Sequence, residues 1–306
     1  MKTILKIPVN PIANLNEELK QMTPLSIALG NENDVFVLLM EERIPLIDGC
    51  FPATITEKSY RYQVIHLKDG QKKVIDLPKE TWNYHFIQPI DDGHFLLVCG
   101  RSYYHDAQNI EENGRVYDEN GRFIRSFCLG DGIEHVYVTN NQEIWTGYFD
   151  EGVCGNYGWN NPIGRSGLVG WDASGAKLDS LEEDKEYFIF ECCALNGVAD
   201  GGIWFYFTLD FKIGVRKEGL TSYYSPDINF RTFAVNGETI VAHLGREERT
   251  LFELQREGNE YKTVRKIELM KPNGKPIKPQ LVNNRENKLL FLDGDELYMY
   301  EAKSNV

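Results

Sequence analysis

One unit returns along the whole chain: a short apolar strand, a polar turn, then a more strongly apolar strand. The stronger strands begin at Asn33, Gly93, Gln142, Gly201, Gly237 and Asn287. Their starts are 60, 49, 59, 36 and 50 residues apart. The mean, about 51, matches the period of a four-stranded propeller blade. Each strong strand follows a weaker one and an Asn-, Asp- or Gly-bearing turn, residues that tolerate the left-handed backbone of tight hairpins. Each is followed by an outer hairpin, clearest at residues 115–124 with its turn at Asp118 to Gly121 and repeated at 167–178. The expected fold is all-β, a single six-bladed β-propeller spanning residues 1–306.

The sixth unit stops one strand short. Residues 2–7 (Lys-Thr-Ile-Leu-Lys-Ile) resemble 262–267 (Lys-Thr-Val-Arg-Lys-Ile), the last strand of the fifth unit. The N-terminal strand, residues 2–8, is therefore expected to complete the last blade and close the ring, because an open ring leaves unpaired edge strands. Residues 14–22 are expected to form one short helix, and 182–186 a solvated charge cluster.

Composition narrows the function classes. The 306 residues carry 33 Lys and Arg against 46 Asp and Glu, a formal charge of −13. An acidic chain makes a poor nucleic-acid binder, since phosphate contacts need a basic face, and a poor ligand for anionic membranes. No apolar run reaches the roughly 18 residues of a membrane helix, and residues 1–8 hold no long apolar stretch, so the expected location is cytoplasmic. The six cysteines (Cys50, Cys99, Cys128, Cys154, Cys192 and Cys193) are then expected to be free thiols. They form no CxxC pair of the kind that holds structural zinc. Cys50 and Cys154 fall in loops expected on one face.

The candidate site comes from loop length. In a propeller, the loops joining second to third strands share a face with the blade-to-blade connections. Here residues 41–59, 100–114 and 150–165 make three long loops in succession, whereas the last three units have short ones. Long loops are uncommon unless functional or disordered. In the third loop, Tyr157 and Trp159 offer apolar faces with polar handles, suited to a sugar or heterocycle or to anchoring the loop itself. Asn156, Asn160 and Arg165 accompany them, and Asp150 and Glu151 are candidates for acid–base work or for a cation. The second loop supplies Arg101, able to clamp an anion, with Tyr104 and His105, whose imidazole titrates near neutrality. The first loop supplies Arg43. The connection Gly130-Asp-Gly-Ile-Glu-His135 supplies Glu134 and His135 near the central axis. These histidines and carboxylates are compatible with a divalent metal, although no spacing demands one.

The blade pattern is similar to the six-bladed propellers of the NHL, SMP-30/gluconolactonase and TolB-like group, over the whole chain. The block from Gly130 to Asp172, centred on Ile144-Trp-Thr-Gly-Tyr-Phe-Asp-Glu-Gly-Val153, more specifically resembles a block of bacterial propeller proteins, which implies no activity. The gluconolactonase group would imply a metal held by Glu, Asn and Asp on separate blades, residues that find no clear counterparts in this sequence. Sialidase Asp-boxes, GxSxG elbows and HExxH motifs are absent. Three functions follow in order of preference. The first is binding of a small polar ligand at the long-loop face. The second is hydrolase or lyase action on a sugar-like or lactone-like substrate, with His105, His135, Asp150 and Glu151 as its chemical groups and with or without a metal. The third is a protein-interaction scaffold.

Overall fold

A computed structural model describes residues 4–47, 51–52, 54–91, 93–181, 186–245 and 248–303. The chain divides into two compact units, residues 18–191 and residues 1–17 with 192–306. Cys50 and most of the 182–186 charge cluster lie outside the described residues.

In the first unit, strands pair antiparallel in chain order into three four-stranded arrays. The first is Thr23–Leu29, Val35–Met40, Tyr62–Lys68 and Gln71–Asp76. The second is Phe86–Ile90, His94–Val98, Gly114–Tyr117 and Phe123–Phe127. The third is Ile133–Val138, Ile144–Tyr148, Leu168–Trp171 and Lys177–Ser180. The second strand of an array is covered on both faces, so it reads as a continuous apolar run rather than an alternating one; every residue of Val35–Met40 and of Ile144–Tyr148 is buried. One apolar cluster joins the first and second arrays through Tyr62, Tyr84 and Tyr117. Another joins the second and third through Val116, Ile144 and Trp171. The core therefore lies between arrays as well as within them.

The outer hairpins turn as their sequences ask. In the second array, Asp118 Oδ1 accepts the N–H groups of Asn120 and Arg122. In the third, Asp172 Oδ1 accepts those of Ser174 and Ala176. These bonds to backbone N–H, with that of the Ser174 hydroxyl to Asp172, hold both carboxyls below their ordinary range. Gly175 carries φ +84°, and a Cβ there would lie 2.4 Å from the ring of Phe127. Only glycine lets this turn press against the preceding array.

The second unit holds three further arrays. Cys192–Gly197, Ile203–Phe207, Lys212–Lys217 and Leu220–Pro226 form one. Thr232–Asn236, Thr239–His243, Thr250–Glu257 and Glu260–Met270 form the next, and a short parallel pairing of Ser225 and Pro226 with Glu260 and Tyr261 joins the two, with Ile4–Pro8, into one nine-stranded sheet. The last consists of Leu281–Arg285, Lys288–Asp293 and Glu296–Glu301, with a fourth strand from the N-terminus.

That fourth strand corrects the sequence-based expectation for residues 2–8. Pro11–Asn14 pairs antiparallel with Glu296–Glu301, and the Leu15 N–H donates to Asp295. Ile4–Pro8 instead runs parallel to Lys266–Met270. Ile4–Pro8 thus lies beside the last strand of the fifth array and does not take the equivalent position in the sixth. The outer edge of Glu260–Met270 needs hydrogen-bond partners, and Ile4–Pro8 supplies them before the chain turns into the final array. The short helix is Asn16–Leu19.

A fully buried asparagine ties the arrays of the second unit together. Asn196 Nδ2 donates to the carbonyls of Phe233 and Glu286, and its Oδ1 accepts the Glu286 N–H. Asn196→Ala would leave these backbone groups without that partner, at about 1–3 kcal/mol for a buried group left unsatisfied. Urea denaturation is expected to show a loss of about 3 kcal/mol with circular dichroism unchanged.

Candidate functional site

The long loops of the second and third arrays meet around Arg101. Its side chain is almost wholly buried, 5% exposed. Nε lies 2.9 Å from Asp131 Oδ1, and the NH2 nitrogen donates to Asp131 Oδ2 at 3.0 Å. The NH1 nitrogen donates to Glu151 Oε2 at 2.5 Å. The guanidinium carbon sits 3.9 Å from the ring centre of Tyr157 and 5.3 Å from that of Phe149. A buried charge is tolerable only when paired and hydrogen-bonded, and here one hydrogen bond to Asp131, the closeness of Nε to the same carboxylate, a second carboxylate and two aromatic rings share that task.

Each contact is set by backbone built for it. The Asp131 carboxylate also accepts the Ser102 N–H at 2.9 Å. Burial raises the Asp131 carboxyl despite the nearby Arg101 charge and the backbone N–H bonds that oppose it. Gly132 follows at φ +73°, where a Cβ would lie 2.3 Å from the Gly152 nitrogen. Two glycines back to back thus let the connection touch the helix Asp150–Cys154 that carries Glu151. Burial alone would raise the Glu151 carboxyl, but hydrogen bonds from Arg101 and Asn156 bring it below its ordinary value. Trp159 Nε1 donates to the Ser102 carbonyl at 2.8 Å, and the Tyr104 N–H donates to Tyr157 at 2.9 Å, stitching the two loops directly. Beneath them, buried Asn113 bonds the Cys99 and Gly130 carbonyls and the Leu129 N–H.

Above this scaffold lies an aromatic ledge. The small hairpin of Tyr104–Asp106 and Asn109–Ile110 presents Tyr103 and His105, stacked with ring centres 4.5 Å apart. Tyr157 meets Tyr103 edge-on at 5.8 Å. Tyr103 remains 40% exposed. Glu111 accepts the Tyr103 N–H at 2.8 Å and lies 3.9 Å from His105 Nε2. Burial raises the Glu111 carboxyl against the opposing pull of that N–H and of His105.

Of the residues singled out from sequence, the structure brings Arg101, Tyr104, His105, Glu151, Asn156, Tyr157 and Trp159 into this one region. Arg43, Asn160 and Arg165 are exposed, and neither arginine has an ion-pair partner among the described residues. Asp150 is exposed, its Oδ1 accepting the Glu151 N–H. Glu134 and His135 are half-buried on Ile133–Val138. Arg101 does not stand as an open anion clamp: with Asp131 and Glu151 the cluster carries a net formal charge of −1. Sequence reasoning passed over Asp131, Phe149, Glu111 and Tyr103. Asp131 had one available signal, its position between two glycines that both adopt positive φ.

His85, on the connection into the second array, accepts the Gly100 N–H at Nδ1, 2.9 Å away. Burial, reinforced by the Arg101 charge, pushes it down to about 4, so at neutral pH the ring is uncharged with its proton on Nε2. Burial also pushes the Cys99 thiol up to about 12. Cys99, Cys128 and Cys154 are free thiols. Among the described residues no group of three or more His, Cys, Asp or Glu is placed to hold a metal ion. No helix among them is long and apolar enough to cross a membrane.

No protein-family model matches the chain. No curated protein matches it either. Among solved structures it is similar to virginiamycin B lyase from Staphylococcus aureus, with a TM-score of 0.50 at 12% identity over 94% of this chain and 97% of that one. A catalytically inactive form of that lyase with quinupristin gives 0.50 at 11% over the same shares. A gluconolactonase from Xanthomonas campestris gives 0.47 at 11% over 92% and 97%. At these identities the likeness shows the fold alone: the four-stranded arrays are those of a β-propeller.

Two outcomes are expected. Arg101→Met strands the buried Asp131 carboxylate and costs about 3–5 kcal/mol; adding Asp131→Asn recovers part of it in chemical denaturation. His85 binds a proton less readily folded than unfolded, so its contribution to stability is full above pH 6.5 and is lost as the pH falls towards about 4. In His85→Gln, stability falls less steeply across that window.

Proposed function

We propose that residues 1–306 form one six-bladed propeller, closed in its last blade by Pro11–Asn14, and that it binds a small, uncharged polar ligand on the ledge of Tyr103, His105 and Tyr157. Three four-stranded sheets in the first unit, and in the second a fourth beside a nine-stranded sheet whose antiparallel pairings fall into two further sets of four, support the blade count. The observation that carries the ligand reading is the buried Arg101 cluster. Its cation is already matched by two carboxylates, so the loops hold a rigid aromatic surface without an open positive charge. Stacking on exposed aromatic faces with amides nearby suits a sugar ring or a heterocycle.

A second reading rests on one contact. His105 Nε2 lies 3.9 Å from Glu111 on the same ledge, a base and an orienting carboxylate. The fold is one that also serves virginiamycin B lyase. This pair supports hydrolase or lyase action on a sugar-like or lactone-like substrate, with His105 moving the proton. Protein scaffolding would draw instead on exposed Leu46 and Ile47 of the first long loop.

Native mass spectrometry of the protein as purified, followed by ligand-observed NMR with neutral sugars, tests the preferred reading. Binding is expected, and Tyr103→Ala should weaken it about tenfold, the value of one stacking contact of about 1.4 kcal/mol. Binding unchanged in Tyr103→Ala would move the site off the ledge. Turnover of a lactone or glycoside that His105→Ala abolishes would establish the second reading.

A further inference from the structure

The first long loop holds a second polar feature, apart from the ledge. Its segment Ile55–Tyr60 pairs antiparallel with Glu80–Trp82, Ile55 lying opposite Trp82. The ladder continues one step inward, where the Asn83 N–H donates to the Thr54 carbonyl at 3.0 Å. Thr54 and Asn83 are therefore directly opposed. Opposed residues of an antiparallel pair project from the same side, Cβ atoms about 4.5–5.5 Å apart. Outward from this step Ile55 is exposed, whereas Thr54 and Asn83 are 6% and 5% exposed. Thr54 Oγ1 and Asn83 Nδ2 are both buried with no hydrogen-bond partner among the described residues.

Proteins rarely bury a polar atom without a partner. Both belong to the last step of one ladder, an amide donor and a hydroxyl on opposed residues. The neighbouring residues Tyr60, Trp82 and Tyr84 all belong to or pack on the adjoining apolar cluster. We propose that Thr54 and Asn83 form a binding site for an uncharged hydroxyl- or carbonyl-bearing group, such as a sugar or polyol, the Asn83 amide donating to its oxygen and the Thr54 hydroxyl completing the pair. The pair itself carries no charge with which to hold an anion.

The probes are D-galactose and D-galacturonate, the same ring without and with a charge, titrated into 15N-labelled full-length protein. D-galactose is expected to shift the Asn83 side-chain amide signals, assigned by their loss in Asn83→Leu, and galacturonate to shift them at least tenfold more weakly. Thr54→Val removes a hydroxyl in nearly constant volume. It should leave the melting temperature unchanged or raised, while the galactose response falls at least tenfold. The readout is separate from the ledge, because Tyr103→Ala should leave the Asn83 shifts intact. No Asn83 shift with D-galactose would overturn the proposal. So would a Thr54→Val protein that melts lower and responds to galactose as the wild type does, for then the hydroxyl serves only the fold through an ordered water.

Discussion

Arg101 is a full positive charge removed from water, and the geometry of two long loops follows from what keeps it there. Coulomb attraction in a poorly polarisable interior is strong, but it offsets desolvation only when the geometry is tight. Asp131 supplies that geometry with two oxygens and is held by the Ser102 N–H. Glu151 closes the remaining side, and Tyr157 covers the guanidinium face. The second-array loop, the connection into the third array and the third-array loop are thus fixed to one another by one side chain. Tyr103 and His105 owe their placement to this, since the loop that carries them also supplies Arg101.

The same cluster sets the chemistry of the face above it. A positive charge with two negative partners repels a further anion and spends its hydrogen bonds inward. What remains outward is aromatic surface with amides and a histidine. Such a surface is selective by shape and stacking rather than by charge. The neutral His85 ring below it and the uncharged Thr54 and Asn83 pair are of the same character.

Most of the fold was legible in the sequence because a propeller writes its period into the chain. The strong strands, the turns at Asp118 and Asp172, and the three long loops all stood where the repeat placed them. The N-terminal strand was misplaced because similarity between residues 2–7 and 262–267 cannot distinguish a strand that replaces another from one that lies beside it. The site was less legible. Arg101, Tyr157 and Trp159 stood out as residue types, but a type does not say whether a guanidinium is open or paired. Asp131 decides that, and its role depends on Gly132 meeting Gly152, a contact between residues 20 positions apart. Trp159 is similar: its ring is buried and its indole N–H bonds Ser102, so it anchors the loop.

On the proposed reading, this face selects uncharged ligands because the buried Arg101 cation is already matched. The most direct measurement is a thermal-shift survey of the intact protein against small molecules matched in size and differing in charge. Neutral sugars and polyols are expected to raise the melting temperature, while phosphates and carboxylates of the same size are not. Stabilisation by the anions, lost in Arg101→Lys, would contradict it and show that Arg101 opens to receive them.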